Sequence, residues 1–139
     1  QQDALVKKML GIIRSSVSSS SGLAQQLLLK ALRFPGYEDQ KARYRKILEG
    51  RYRAMRDYLA AHELPVCLEA LPFNSGYFMS FACKGISAEK LRQQLLDTLA
   101  IGTISMQDKY LRVAFSSVEE DQVAPLLDAI VSVAVGLSR

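Results

Sequence analysis

The sequence predicts an α/β fold: a small, largely antiparallel sheet packed with helices, one of them long and amphipathic. Three observations carry that expectation. In residues 110–115, Leu111, Val113 and Phe115 alternate with Tyr110, Arg112 and Ala114, the two-residue period that sends neighbouring side chains to opposite faces of a strand. Tyr44, Leu48, Tyr52, Met55 and Leu59 recur every three or four residues and so form one apolar stripe. The helix they predict runs from about Tyr37 to His62, roughly 26 residues or ~39 Å at 1.5 Å per residue. Finally, the periodic segments follow one another as helices, two strands, a helix, two strands and a helix.

Taken in order, Leu5, Val6, Met9, Leu10, Ile12 and Ile13 mark a first helix over residues 3–14. A serine-rich loop over 15–21 follows, too polar to bury surface and too short for a domain boundary. A second helix is expected from Leu23 to Leu32, with Ser20 or Ser21 as its N-cap. Phe34-Pro35-Gly36 stops it before the long helix, in which Gly50 marks a bend or a close contact. From Leu64 the period changes. Val66–Ala70 and Tyr77–Cys83 read as strands joined by a turn through Leu71-Pro72-Phe73-Asn74-Ser75-Gly76. Ser87 is placed to cap a helix that buries Leu91, Leu95, Leu96 and Leu99, with Glu89 in its first turn. A brief strand over Ile101–Ser105 and the strand of Arg112 flank Met106-Gln107-Asp108-Lys109, the spacing of a hairpin. Ser117 and Glu120 have the capping-box spacing that opens a last helix through Val123, Leu127, Ile130, Val131 and Ala134. Pro125 lies inside that helix, and it must either kink it or move its start toward Val123.

With 139 residues, 49% of them hydrophobic and 23% charged, the chain fits one globular domain over 1–139. None of its apolar runs approaches the ~20 residues of a transmembrane helix and no signal-peptide pattern opens it, so the expected location is the cytoplasm. The start at Gln1 rather than Met suggests a piece of something longer. Cys67, Cys83 and the single histidine, His62, offer no metal-ligand spacing, and the cysteines are expected as buried free thiols. The net charge of +4 is uneven. Lys41, Arg43, Arg45, Lys46, Arg51, Arg53 and Arg56 against Glu49 make residues 41–56 strongly basic. With Tyr44 and Tyr52 interleaved, this patch has some of the character of a nucleic-acid footprint. The apolar stripe through the same segment explains it better, as the wet flanks of an amphipathic helix, so nucleic acid is not the expected partner.

Arg112 is the candidate site residue. It stands in the middle of a strand that otherwise reads as buried, on the face opposite Leu111, Val113 and Phe115. A guanidinium there needs a carboxylate, a phosphate or water, because burying it unpaired is costly. The residues by themselves offer no glycine-rich phosphate loop, no nucleophile with a base, and no paired carboxylates.

Asn74-Ser75-Gly76-Tyr77-Phe78, the Ser87-capped helix, Tyr110-Leu111-Arg112-Val113-Ala114-Phe115 and Ser117-x-x-Glu120 resemble, in order and spacing, the carboxy-terminal third of class I/II aminotransferases. Those enzymes depend on pyridoxal 5'-phosphate and share the aspartate aminotransferase fold type; the resemblance covers nearly the whole chain. It implies the small domain of such an enzyme, acting as a homodimer on an amino acid and a 2-oxo acid. By this resemblance, Arg112 binds the α-carboxylate of the substrate; Gly76 is explained by its backbone, which allows a turn conformation closed to other residues, and the family often has glycine there. Near the start, Ile12-Ile13-Arg14, Ser18 and Gly22 resemble the aspartate-type segment that reaches a neighbouring subunit's site, where the arginine, here Arg14, meets a distal side-chain carboxylate. The prolines usual after Ser18 are replaced by Ser20 and Ser21. The family's Schiff-base lysine, the aspartate that pairs with the pyridine nitrogen and the stacking aromatic lie upstream of the matched region. The chain alone is therefore expected to bind the cofactor poorly and not to transaminate. Two other readings stand beside this one: the effector domain of an aminotransferase-like transcriptional regulator, and a non-enzymatic binding module built on the basic helix.

Overall fold

The computed structural model describes residues 2–18 and 21–138. Contacts divide the chain into two units, Gln1–Ala42 and Arg43–Arg139.

The first unit holds helices α1 (Gln2–Ser16) and α2 (Gly22–Leu32) and the beginning of α3 (Tyr37–Ala61). Helix α1 runs past Arg14 because Ser15 and Ser16 turn their hydroxyls back to the Ile12 carbonyl, at 3.1 and 2.7 Å, and so satisfy themselves within the helix. Ser18 then takes a left-handed φ of 63° and its N–H closes on the Ile13 carbonyl at 2.9 Å. Ser21 is the N-cap of α2, accepting from the Ala24 N–H at 3.3 Å. Ser20, the other cap the sequence offered, and Ser19 lie outside the described residues. No side chain of α1 or α2 is buried, and Leu5, Met9, Leu10, Ile12, Leu23, Leu27 and Leu28 are each more than half exposed.

The second unit contains the rest of α3, then β1 (Leu68–Ala70), β2 (Met79–Cys83), α4 (Ala88–Leu99), β3 (Ile104–Met106), β4 (Tyr110–Val113) and α5 (Val123–Leu137). The four strands form one antiparallel sheet in the order β1-β2-β4-β3. Met79 stands opposite Val113, and Phe81 opposite Leu111. All four are buried, in one cluster with Met55 and Tyr58 of α3, Leu91 and Leu95 of α4, and Val123, Leu127, Ile130 and Ala134 of α5. The alternation that predicted the Arg112 strand therefore holds. It covers less chain than expected: after Val113 the backbone leaves the sheet, and Phe115 is buried from a single 3-10 turn over Phe115–Ser117.

Several boundaries differ from the sequence expectation. Strand β1 starts at Leu68 because a turn closed by the Leu68 N–H on the Pro65 carbonyl (2.9 Å) leaves Val66 almost wholly exposed. In α4 the buried line is Ala88, Leu91 and Leu95, while Leu96, one position round the helix, and Leu99, in the last turn before left-handed Ala100, are about half exposed. Leu96 and Leu99 are thus not core. The hairpin between β3 and β4 turns through Gln107 and Asp108, both at positive φ (54° and 53°), closed by the Lys109 N–H on the Met106 carbonyl at 3.1 Å. The Ser117–Glu120 capping box does not form. Ser117 ends one 3-10 turn, Glu120–Gln122 makes another, and α5 begins at Val123 without a side-chain cap. Pro125 is the reason. Starting the helix at Val123 keeps the proline in the first turn, where its missing N–H would have no helical partner anyway.

Cys67 is buried, Cys83 half-buried, and both are free thiols. Burial pushes the Cys83 thiol up. None of the described helices is long and apolar enough to cross a membrane.

Candidate functional site

Arg112 occupies the third position of β4, with Ser80 of β2 opposite it on one side and Ile104 of β3 on the other. Because side chains alternate, these three share the face of the sheet that the core does not cover. Arg112 itself is half-buried. Its guanidinium carbon lies 4.7 Å from the centroid of the Phe78 ring, a cation–π stack that fixes the plane of the group. Its Nε is buried and has no hydrogen-bond partner. Among the described residues no carboxylate stands within ion-pair distance of it. A buried donor left in this state costs about 1–3 kcal/mol, a cost shared by Arg51 Nε and Thr103 Oγ1.

An open cleft of about 540 Å³ is lined by Leu71, Pro72, Phe73, Asn74, Phe78, Met79 and Ser80; Arg112 is not part of its lining but meets it through Phe78, on which it stacks, and Ser80, its cross-strand partner. The loop that makes its rim is held at two points. The Leu71 N–H donates to the Ser80 carbonyl at 2.9 Å, and the Gly76 N–H donates to Asn74 Oδ1 at 3.2 Å. Gly76 is not among the residues at positive φ, so the expectation that it takes a conformation closed to other residues is not met. Its missing side chain matters for a different reason: a Cβ would sit 3.2 Å from Asn74 Oδ1 and crowd the turn. Phe73 packs edge-to-face on Tyr52 of α3 and on buried Phe115, at 5.4 and 5.9 Å between ring centroids, which anchors the rim to the core.

The sequence reading placed the basic residues of 41–56 on wet flanks; Arg51 departs from that. Its side chain is only 13% exposed, because Arg51 falls on the line Leu48–Arg51–Met55–Tyr58 that faces the core. It donates from Nη1 to the Ser116 carbonyl and pairs through Nη2 with Glu119 at 3.0 Å. The signal was present in the sequence: a charged residue three after Leu48 and four before Met55 sits on the buried stripe. Arg43, Arg45, Lys46, Arg53 and Arg56 are exposed, as is Tyr44, which the stripe had assigned to the core side. Arg14 is exposed in the last turn of α1, within the first unit. Phe78 was part of the recognised motif but carried no assigned role; an aromatic two residues before the cross-strand partner of Arg112 was the available clue.

Arg112 is thus an unpaired arginine on the uncovered face of an antiparallel sheet, and a planar guanidinium has the chemistry to pair with a carboxylate or a phosphate. The chain belongs to the aminotransferase class I and II family, whose model matches residues 2–130. Among solved structures, it is similar to LysN, an alpha-aminoadipate aminotransferase from Thermus thermophilus complexed with N-(5'-phosphopyridoxyl)-L-leucine. That similarity has a TM-score of 0.78 and 20% identity over 99% of this chain and 36% of that one. It is also similar to the Pyrococcus horikoshii kynurenine aminotransferase in complex with PMP, with a TM-score of 0.76 and 15% identity over 96% of this chain and 35% of that one. The chain thus spans about a third of the length of these proteins, and at such identities the likeness is one of fold. No curated protein matches it.

Pyridoxal phosphate needs a lysine amine for its Schiff base and an acidic partner for its ring nitrogen. The cleft beside Arg112 is lined by neither a lysine nor a carboxylate. These residues do not fit the cofactor.

Proposed function

We propose that this chain is the carboxy-terminal, small-domain part of a pyridoxal-phosphate-dependent aminotransferase, a cytoplasmic homodimer that moves an amino group from an amino acid to a 2-oxo acid. Its own contribution is Arg112, which binds the substrate α-carboxylate. The observation that carries this reading is the buried, unpartnered Nε of a guanidinium already stacked on Phe78. Family membership adds the chemistry, and the matched structures are described as aminotransferases.

A planar guanidinium takes a carboxylate by two parallel N–H···O bonds, which fixes both the position and the rotation of the substrate. The Phe78 ring holds that plane, and the half-buried setting strengthens each bond relative to water. Orientation of this kind accelerates reaction by presenting the substrate in one pose. The cofactor and its lysine belong to parts of the protein that these residues do not supply, so the chain alone is proposed to be inactive. Arg14 is proposed to meet the distal carboxylate of an acidic substrate in the neighbouring subunit's site; its exposure at the end of α1 leaves the guanidinium available.

The test is kinetic, on the protein that carries this chain. Arg112→Ala should keep the pyridoxal absorbance and lose roughly 100-fold in kcat/KM for amino acids, the effect of about 3 kcal/mol from two charge-assisted bonds. Arg112→Lys should recover only part of it. Arg14→Ala should penalise dicarboxylic substrates alone. Normal turnover by Arg112→Ala would sink the carboxylate assignment, and absence of pyridoxal absorbance from the wild type would sink the aminotransferase assignment.

A further inference from the structure

We infer that Arg51 of α3 is a positioning residue for the carboxylate site, acting through Ser116 on the Arg112–Phe78 stack; this rests on the carboxylate reading of Arg112. Three contacts make the connection. Arg51 donates from Nη1 to the Ser116 carbonyl and pairs through Nη2 with Glu119 at 3.0 Å. The Ser116 N–H in turn donates to the Tyr77 carbonyl at 3.3 Å. Tyr77 is the residue before Phe78, and Ser116 follows Arg112 by four residues, just past the end of β4.

Ser116 therefore joins the two segments outside their ladder: its N–H, in the peptide shared with Phe115, reaches Tyr77, and its carbonyl, in the next peptide, is held by Arg51 from the helix. The regular pairing of β2 and β4 stops at Met79 opposite Val113. Beyond it, Phe78 lies outside the strand, and about half of its surface is exposed. Within the bonds recorded between these segments, what carries Phe78 on under the guanidinium is the link from Ser116 to Tyr77. A lysine at 51 could serve this role only in part, because a carbonyl and a carboxylate on different residues are met here by the two arms of one planar fork. Placing a charge on the buried line of α3 is expensive unless it is paired, and Arg51 still leaves its Nε buried without a partner. An apolar side chain would pack on that line at no such cost, so stability alone does not explain an arginine there.

The experiment uses the cofactor-loaded protein that carries this chain, and reads calorimetric binding of 4-methylvalerate, a carboxylate without the reacting amine, beside KM, kcat and melting temperature. Arg51→Met is expected to weaken 4-methylvalerate about tenfold and to raise KM more than it lowers kcat, the scale of a displaced rather than deleted binding group. Arg51→Lys recovers part of the affinity. Glu119→Gln, which touches only an exposed carboxylate, weakens binding by a smaller factor and serves if Arg51→Met fails to fold. In an Arg112→Ala background the Arg51→Met change should add nothing. A lower melting temperature with unchanged affinity, or the same loss in both backgrounds, overturns the positioning role while leaving the role of Arg112 intact. Unchanged affinity in Arg112→Ala alone overturns the carboxylate reading and the inference with it.

Discussion

Tyr58→Phe isolates one hydrogen bond that ties α3 to α5. The Tyr58 hydroxyl donates to Asp128 Oδ1 at 2.6 Å, while the ring is buried in the core cluster and stacks on His62 at 4.1 Å between centroids. Phenylalanine keeps the ring and its apolar burial, so only the hydroxyl's contribution is lost. A hydrogen bond to a charged group contributes about 1.5–3 kcal/mol. Asp128 is exposed and regains water when the bond is broken, which puts the expected cost at the low end, about 1.5 kcal/mol. With a urea slope of about 2 kcal/mol/M, the midpoint should fall by roughly 0.7 M. The pH dependence provides a second reading. Burial first, and then the hydrogen bond and charge of Asp128, push the Tyr58 pKa from 10.0 up to about 12. The folded state thus holds this proton more tightly than the unfolded chain. Its contribution is complete below pH 10 and is lost as the pH rises from 10 to about 12. Urea unfolding at about pH 8 and about pH 11 should show the variant's deficit shrinking at the higher pH. Equal midpoints for wild type and Tyr58→Phe at the lower pH, or a deficit that does not change with pH, would refute this account.

Two further outcomes concern the supports of the sheet. Asp108 Oδ1 accepts from Ser87 Oγ at 2.5 Å and from the Glu89 N–H at 2.8 Å, and those bonds hold its carboxyl below the usual range. The stabilisation is present above the unfolded carboxylate pKa and disappears as the pH falls through the lower folded value; Asp108→Asn, which tolerates the left-handed φ, should therefore flatten the acid limb of a stability–pH curve. Gly50→Ala should stabilise the protein by about 0.5 kcal/mol, because the gain in helix propensity exceeds the cost of displacing a flexible side chain. The nearest atoms to the new Cβ are those of the exposed Glu120 carboxylate, and a lower melting temperature would show that this carboxylate is not free to move.

How much could be read without the structure differs from element to element. The strand of Arg112 was legible because burial on one face imposes a two-residue period that no other backbone has. Of the alternatives the sequence offered, Gly50 is a close contact, with Glu120, and Pro125 shifts the start of α5 to Val123. The capping box at Ser117 and Glu120 was a false signal: the spacing existed, but Pro125 sets the start of α5 at Val123, and the chain before it takes 3-10 turns instead. Leu96 and Leu99 misled in the same way, since a helix with more leucines than its buried face can take must expose some.

The sequence by itself determined the order of elements, the antiparallel character of the sheet and the presence of one arginine on its uncovered face, because periodicity and turn chemistry are local. Only the tertiary structure decided that the Arg112 guanidinium lies on Phe78, that its Nε has no partner, and that Arg51 reaches Ser116 from another element. Those facts depend on which groups meet across as many as 65 residues of chain, and a side chain's partner at that range is set by packing rather than by its neighbours in sequence.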